Sequence, residues 1–186
     1  MTPTVTQGGR RDAVRNYHRI IEAAREVLGE SGAEASMEEI ATRAGVGIGT
    51  VYRKFAGKDA LIDELLRLAM EEVTAAADRA LARADGHGLE ELLRAIGQSF
   101  ADHARYATLL LDRPVDPAAT QRLRTAVGEL TARAAAAGTI ASGVTDADIM
   151  ALVRAMRGLV QDAGEVQGWP RFLDIHLAGL RAASVS

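Results

Sequence analysis

The chain has 186 residues, 48% hydrophobic, 25% charged and 4% aromatic, with a formal net charge of -3. Against ~150 residues per domain, this predicts one large domain or two small ones and excludes a disordered or collagen-like chain. Cys is absent, which excludes disulfides, thiolate metal sites and a Cys nucleophile, and fits a cytoplasmic protein. Ala supplies 36 residues and Pro only 4, a balance that predicts an all-α protein. Residues 1–60 carry a net charge of +1 and residues 61–186 a net charge of -4, and both lysines, Lys54 and Lys58, lie in the first part. A mildly basic head on an acidic body suits a chain of which only the head meets phosphate. Apolar runs are short, as at Leu109-Leu110-Leu111, so no membrane span is expected. Arg10-Arg11 is followed by Asp12 instead of an apolar core, which argues against an export signal.

Residues 1–9 read as a disordered arm. The next helix carries Tyr17, Ile20, Ile21, Ala24, Val27 and Leu28 on one stripe and ends at Gly32. Glu22, Glu26 and Glu30 share another face, which is read as solvated. Ser36 and Glu39 have the spacing of a capping box before a short helix that Gly45 ends. A second short helix follows from Ile48 to Phe55. Two short helices joined by a Gly-containing turn are a helix-turn-helix. A long helix is expected over 58–84 and a loop at Asp85-Gly86-His87-Gly88. The next helix carries Leu92, Leu93, Ile96 and Phe100 and bends or breaks near 103–106. Asp116 and Pro117 open another helix, which Gly138 stops. Thr145 caps the next one and Pro170 opens the last.

On a wheel of ~100° per residue, Val51 and Phe55 point inward. Gly49, Thr50 and Arg53 point the opposite way, flanked by Tyr52 and Lys54. One face packs, and the other offers a hydroxyl, a guanidinium, an ammonium and a phenol. A major groove accepts one helix, and Arg there can bond guanine in a bidentate way. Tyr, Thr and Lys suit phosphate contacts that fix register. Gly47 and Gly49 let the helix start approach the DNA backbone, and Lys58 begins a helix whose N–H groups favour phosphate. Arg43 has two readings, DNA contact or a cation suited to a helix C-terminus. Arg10, Arg11 and Arg15 form either a groove-touching arm or a solvated tail. Gly45-Val46-Gly47-Ile48-Gly49 follows a helix and not a strand, so it is not a dinucleotide loop.

Over residues 15–66 the chain resembles the TetR family of transcriptional repressors. The likeness rests on the Ile-Glu-Ala-Ala-Arg run at Ile21, Glu39-Ile40-Ala41, Ala44-Gly45-Val46, Gly49-Thr50-Val51-Tyr52, Phe55 and Lys58-Asp59-Ala60-Leu61. It implies a three-helix DNA-binding head over 10–57 and a helical ligand-binding and dimerisation body over 58–186. Thr50, Tyr52 and Lys58 match the family's phosphate-contact positions. Ile48, Gly49, Arg53 and Lys54 match positions facing bases or adjoining backbone. Of these four, Arg53 and Lys54 have the hydrogen-bonding power for direct readout. The resemblance also implies an interface between two copies through the last two helices. Ala151, Ala155, Gly158 and Leu159, with Ile175, Ala178 and Gly179, are the candidates; packing within the chain explains them equally well.

An effector pocket is expected among Phe100, His103, Tyr106, Leu110, Leu123, Val127, Met150 and Arg154. Each is otherwise ordinary core, and His103 a satisfied core histidine. No metal-ligand spacing joins His18, His87, His103 and His176, and no residue pattern argues for catalysis, so neither an enzyme, a cofactor nor a metal is expected. The resulting expectation is a homodimeric repressor released from a near-palindromic operator by an unknown small molecule. Two alternatives are a DNA-binding regulator without an effector, and a helical binding protein or enzyme that carries a helix-turn-helix.

Overall fold

The computed structural model describes residues 7–110, 113–162 and 168–182. Its contacts divide the chain into two compact units. One runs to Leu66 and also takes Thr108–Arg113; the other takes Arg67–Ala107 and the chain from Pro114 onward. All regular structure among the described residues is helical.

The first unit holds α1 (Gln7–Ser31), α2 (Met37–Ala44), α3 (Ile48–Lys54) and the first turns of α4 (Lys58–Leu81). Of the α1 stripe, Ile20, Ile21, Ala24, Val27 and Leu28 are core as the spacing predicts, and Tyr17 is half-buried. Helix α1 nonetheless begins at Gln7, inside the stretch expected to be an arm to residue 9; residues 1–6 lie outside the described residues. An apolar stripe marks where packing begins, and here the helix continues nearly three turns beyond Tyr17. Ser36 caps α2 reciprocally: its Oγ accepts from Glu39 N at 3.1 Å, and Glu39 Oε2 accepts from Ser36 N at 2.9 Å. Gly45 ends α2 at φ +62, where a β-carbon would be strained and would also strike the Arg19 guanidinium. Leu61, Ile62 and Leu65 are fully buried at the start of α4.

The second unit is built around α5 (Gly88–His103), which packs against α7 (Pro117–Ala136), α8 (Asp146–Asp162) and α9 (Trp169–Ala182). Helix α8 also packs on α7 and α9. The later turns of α4 add Val73, Ala76, Ala77 and Ala80 to one core with Leu92, Leu93, Ile96, Leu130, Ile149, Met156 and Leu173. Each fully buried Leu or Ile contributes about 1.5–3 kcal/mol. Helix α5 breaks where expected: a single tight turn at Ala104–Tyr106 leads into the short α6 (Ala107–Leu110). Gly97 lets α5 meet α9 closely, since a β-carbon there would lie 2.5 Å from Trp169 Cζ3 and 2.7 Å from Met156 Cε.

Local signals set the ends of these helices. Asp116 accepts from Ala118 N at 2.9 Å, with Pro117 in the first turn of α7. Gly138 turns the chain after α7 at φ +70. Thr145 Oγ1 donates to Asp148 Oδ2 at 2.7 Å and accepts from Asp148 N at 3.3 Å. The Thr145 hydroxyl and then its N–H hold the Asp148 carboxyl below the usual carboxylate range. In the α4–α5 loop, the Arg83 guanidinium and then the His87 N–H hold Asp85 down to about 2. No helix among the described residues is long and apolar enough to cross a membrane.

Candidate nucleic-acid interface

Helix α3 has two opposite faces. Val51 is fully buried and Phe55, just past the helix end, is buried beside it. Gly47, Ile48, Gly49, Tyr52, Arg53 and Lys54 are exposed, Tyr52 at 49%, and Thr50 is half-buried. Of the expected α3 residues, all but the half-buried Thr50 are therefore open to solvent. Ile48 is 38% exposed although it is apolar.

The cations of this region are held in four different ways. Arg53 Nη2 donates to Thr50 Oγ1 at 2.8 Å, one turn back on α3. Lys54 Nζ stands 5.3 Å from the centroid of the Tyr17 ring on α1. Lys58 Nζ donates to the carbonyls of Ala33 at 2.5 Å and Ala35 at 3.1 Å, so two of its three donors tie α4 to the turn before α2. Arg43 is turned toward α1: it donates to Glu30 Oε2 at 2.8 Å and Oε1 at 3.1 Å, and to Glu26 Oε2 at 3.0 Å. Hydrogen bonds to Glu30, then Glu26, raise its pKa further above the usual arginine value. The face of Glu26 and Glu30, read from spacing as merely solvated, is thus a clamp on α2. A cleft of about 300 Å³ lies between α1 and α3, with Asn16 and Tyr17 on one wall and Thr50, Arg53 and Lys54 on the other.

Tyr17 was legible only as a member of the α1 stripe. Its ring also lies against Phe55, with centroids 6.2 Å apart, and its hydroxyl donates to Glu64 of α4. Arg113 likewise carries no local sequence signal. It donates to Asp63 Oδ1 at 2.9 Å, to the Asp59 carbonyl at 3.2 Å and to the Asp59 carboxylate. No local pattern announces a partner about fifty residues away.

The residues expected to line an effector pocket are not held alike. Val127 is part of the core of the second unit, and Phe100, Leu123 and Met150 pack against it. His103 is buried, and its Nδ1 lies 2.5 Å from the Ser99 carbonyl, which can only accept; the proton is therefore on Nδ1. Its ring meets the buried Tyr106 edge-on at 5.7 Å. Leu110 belongs to the first unit. Arg154 stands on the exposed stripe of α8 with Ala151 and Ala155, not toward the core. A recess of about 440 Å³ occurs elsewhere, lined by Arg83, Gly86, Gly88, Leu130, Arg133 and Ala137 among others. Its arginines are engaged, Arg83 with Asp85 and Glu91, Arg133 with Glu129 and the Leu81 carbonyl.

The expected interface residues stand in the open. Ala151, Ala155, Ala178, Gly179 and Ile175 are exposed, Ile175 at 58%, while Gly158 and Leu159 are half-buried. A β-carbon added at Gly158 or Gly179 would meet nothing within 4 Å. Leu159 packs against the core of the second unit, whereas Ala151, Ala155, Ile175, Ala178 and Gly179 face solvent.

A buried face on Val51, a polar face on Thr50, Tyr52 and Arg53, and a glycine turn between α2 and α3 define a helix-turn-helix DNA-binding head. The family model described as bacterial regulatory proteins, tetR family, matches residues 20–65. A TetR transcription regulatory protein from Mycobacterium vanbaalenii is 31% identical, with 92% of this chain and 98% of that one covered and a TM-score of 0.68. A TetR transcriptional regulator from Streptomyces coelicolor is 29% identical over 88% of this chain and 97% of that one, with a TM-score of 0.63. An HTH-type transcriptional regulator of Staphylococcus aureus is 45% identical over 53 residues, which span 28% of this chain and 29% of that protein. The chain belongs to the TetR family and is a DNA-binding transcriptional regulator, not an enzyme.

Proposed function

We propose that the protein is a homodimeric repressor that binds a near-palindromic operator through two copies of α3 and leaves it when a small molecule occupies the body. The observation that carries this reading is the open row of small residues on α8 and α9, a surface that suits a second copy. Two-fold pairing presents two α3 helices to half-sites about 34–36 Å or a multiple apart. Arg53 reads base edges, Thr50 and Tyr52 meet phosphates, and Gly47, Ile48 and Gly49 allow close approach. Lys58 adds a phosphate contact at the start of α4. Arg43 acts as a strut between α1 and α2, because its guanidinium fork is already taken by Glu26 and Glu30. Release by an effector requires that it favour the off-operator form by about 5.5 kcal/mol to move a 1:99 balance to 99:1.

The test is selection of bound duplexes from a random pool at ~0.15 M salt, where distant phosphate attraction is screened. Enrichment of an inverted repeat supports the reading. Enrichment of a single half-site, or none from folded protein, contradicts it. A second reading, a regulator that answers to no small molecule, is favoured by the packing of Phe100, Leu123, Val127 and Met150 into the core. A purified protein that releases the selected repeat with cell metabolite extract but not with buffer decides against it.

A further inference from the structure

We propose that Tyr17 is a positioning residue for DNA binding: its ring seats the Lys54 ammonium at the α1–α3 cleft, so that Lys54 meets a backbone phosphate and Arg53 alone reads bases. This rests on the operator-binding reading above. Arg53 and Lys54 are adjacent, so they leave α3 about 100° apart. Arg53 is steadied along the outward face by its 2.8 Å bond to Thr50. Lys54 is drawn sideways, its Nζ 5.3 Å from the Tyr17 centroid, inside the ~6 Å reach of a cation–π contact.

Tyr17 is itself fixed from two sides. Its ring lies tilted by 30° against Phe55, and its hydroxyl is bonded to Glu64. The ring is therefore a platform tied to α1, to the end of α3 and to α4. The adjoining cleft of about 300 Å³ is lined by Asn16, Thr50 and Arg53 together with Lys54, polar groups that suit one phosphate oxygen set, and Arg53 is held there to Thr50. Asp12 also borders the cleft, and Arg15, 3.6 Å from its carboxylate, offsets its charge. Lysine is a compact point charge suited to phosphate, whereas the arginine fork suits the guanine edge. The two neighbouring cations, expected from sequence to share readout, are thus given separate tasks.

The experiment measures the affinity of the full chain for its selected duplex across a salt series. Lys54→Ala is expected to reduce the log–log salt slope by about 0.9 per subunit, alike on specific and scrambled DNA. Tyr17→Leu is expected to weaken binding about two- to fivefold and lower the slope in the same direction. In a Lys54→Ala background Tyr17→Leu should add nothing, and Tyr17→Phe, which keeps the ring, should keep the slope. A methylphosphonate placed at each DNA phosphate in turn provides a readout independent of Tyr17 variants. One position per half-site should cost the parent affinity and cost Lys54→Ala none. Multiplying effects of the Tyr17 and Lys54 changes, a lost slope in Tyr17→Phe, or altered base preference in Lys54→Ala would each overturn the inference. Arg53→Ala separates the two levels. If it loses specificity while the cycle is multiplicative, only this inference fails; if no variant changes binding, the operator reading fails too.

Discussion

In the proposed complex, Arg53 concentrates the sequence information of the head in one side chain. Ile48 and Gly49 are exposed on the same helix but have no side-chain hydrogen-bonding group. Arg53→Ala is expected to cost about 1–3 kcal/mol on the selected operator and much less on scrambled DNA, as read in parallel titrations. Tyr52→Ala and Lys58→Ala should weaken both duplexes alike. They differ in stability: Lys58 also bonds the Ala33 and Ala35 carbonyls, so only its loss should lower the melting temperature noticeably. Asp85 makes a pH prediction. Its folded pKa, about 2, lies below the unfolded carboxylate value. Such a group stabilises the fold above the unfolded pKa and loses that contribution as pH falls through the folded pKa. Parent protein should therefore melt higher than Asp85→Asn near pH 5, and the gap should close toward pH 2 in a series of thermal melts.

At the scale of helices, short-range chemistry carries most of the boundaries. Ser36→Ala removes one half of the α2 capping box and should cost ~1 kcal/mol in denaturant unfolding. Gly97→Ala tests a contact between helices: with Trp169 and Met156 in the way, about 1–3 kcal/mol of destabilisation is expected, read as a lower melting temperature. These two sites show what was legible. The Ser36–Glu39 box, the Asp116–Pro117 start, the Thr145 cap and the glycine stops at Gly45 and Gly138 each lie within one turn of the end they set. The helix-turn-helix and its polar face followed from the same local rules. What was not legible is tertiary. Glu26 and Glu30 find Arg43, Tyr17 finds Lys54, and Arg113 finds Asp59 and Asp63 only once the helices are packed. Helical periodicity marked Phe100, Leu123 and Val127 as inward. It cannot separate a residue that fills a core from one that lines a cavity, because both face the same way.

For the whole molecule, the open row on α8 and α9 predicts association. Ile175→Glu places a charge on a 58% exposed position at the centre of the proposed contact. Two like charges then face each other across a two-fold axis. Parent protein should sediment at twice 19.7 kDa at micromolar concentration, and the variant as a single 19.7 kDa species with the operator affinity of one half-site. An unchanged sedimentation pattern would move the dimer contact to another surface.

The first unit is discontinuous in sequence: it ends at Leu66 and recovers Thr108–Arg113. Arg113 is the visible tie, bonded to both Asp59 and Asp63 near the start of α4. A head cut from this protein at Leu66, where the contiguous part of the first unit ends, would leave that tie behind. Chimaeras that graft this head onto another regulator's body would carry two carboxylates that have lost the Arg113 guanidinium. The exchangeable part is therefore not a contiguous stretch. It is a stretch plus a remote hexapeptide, and a working transplant is expected to need both.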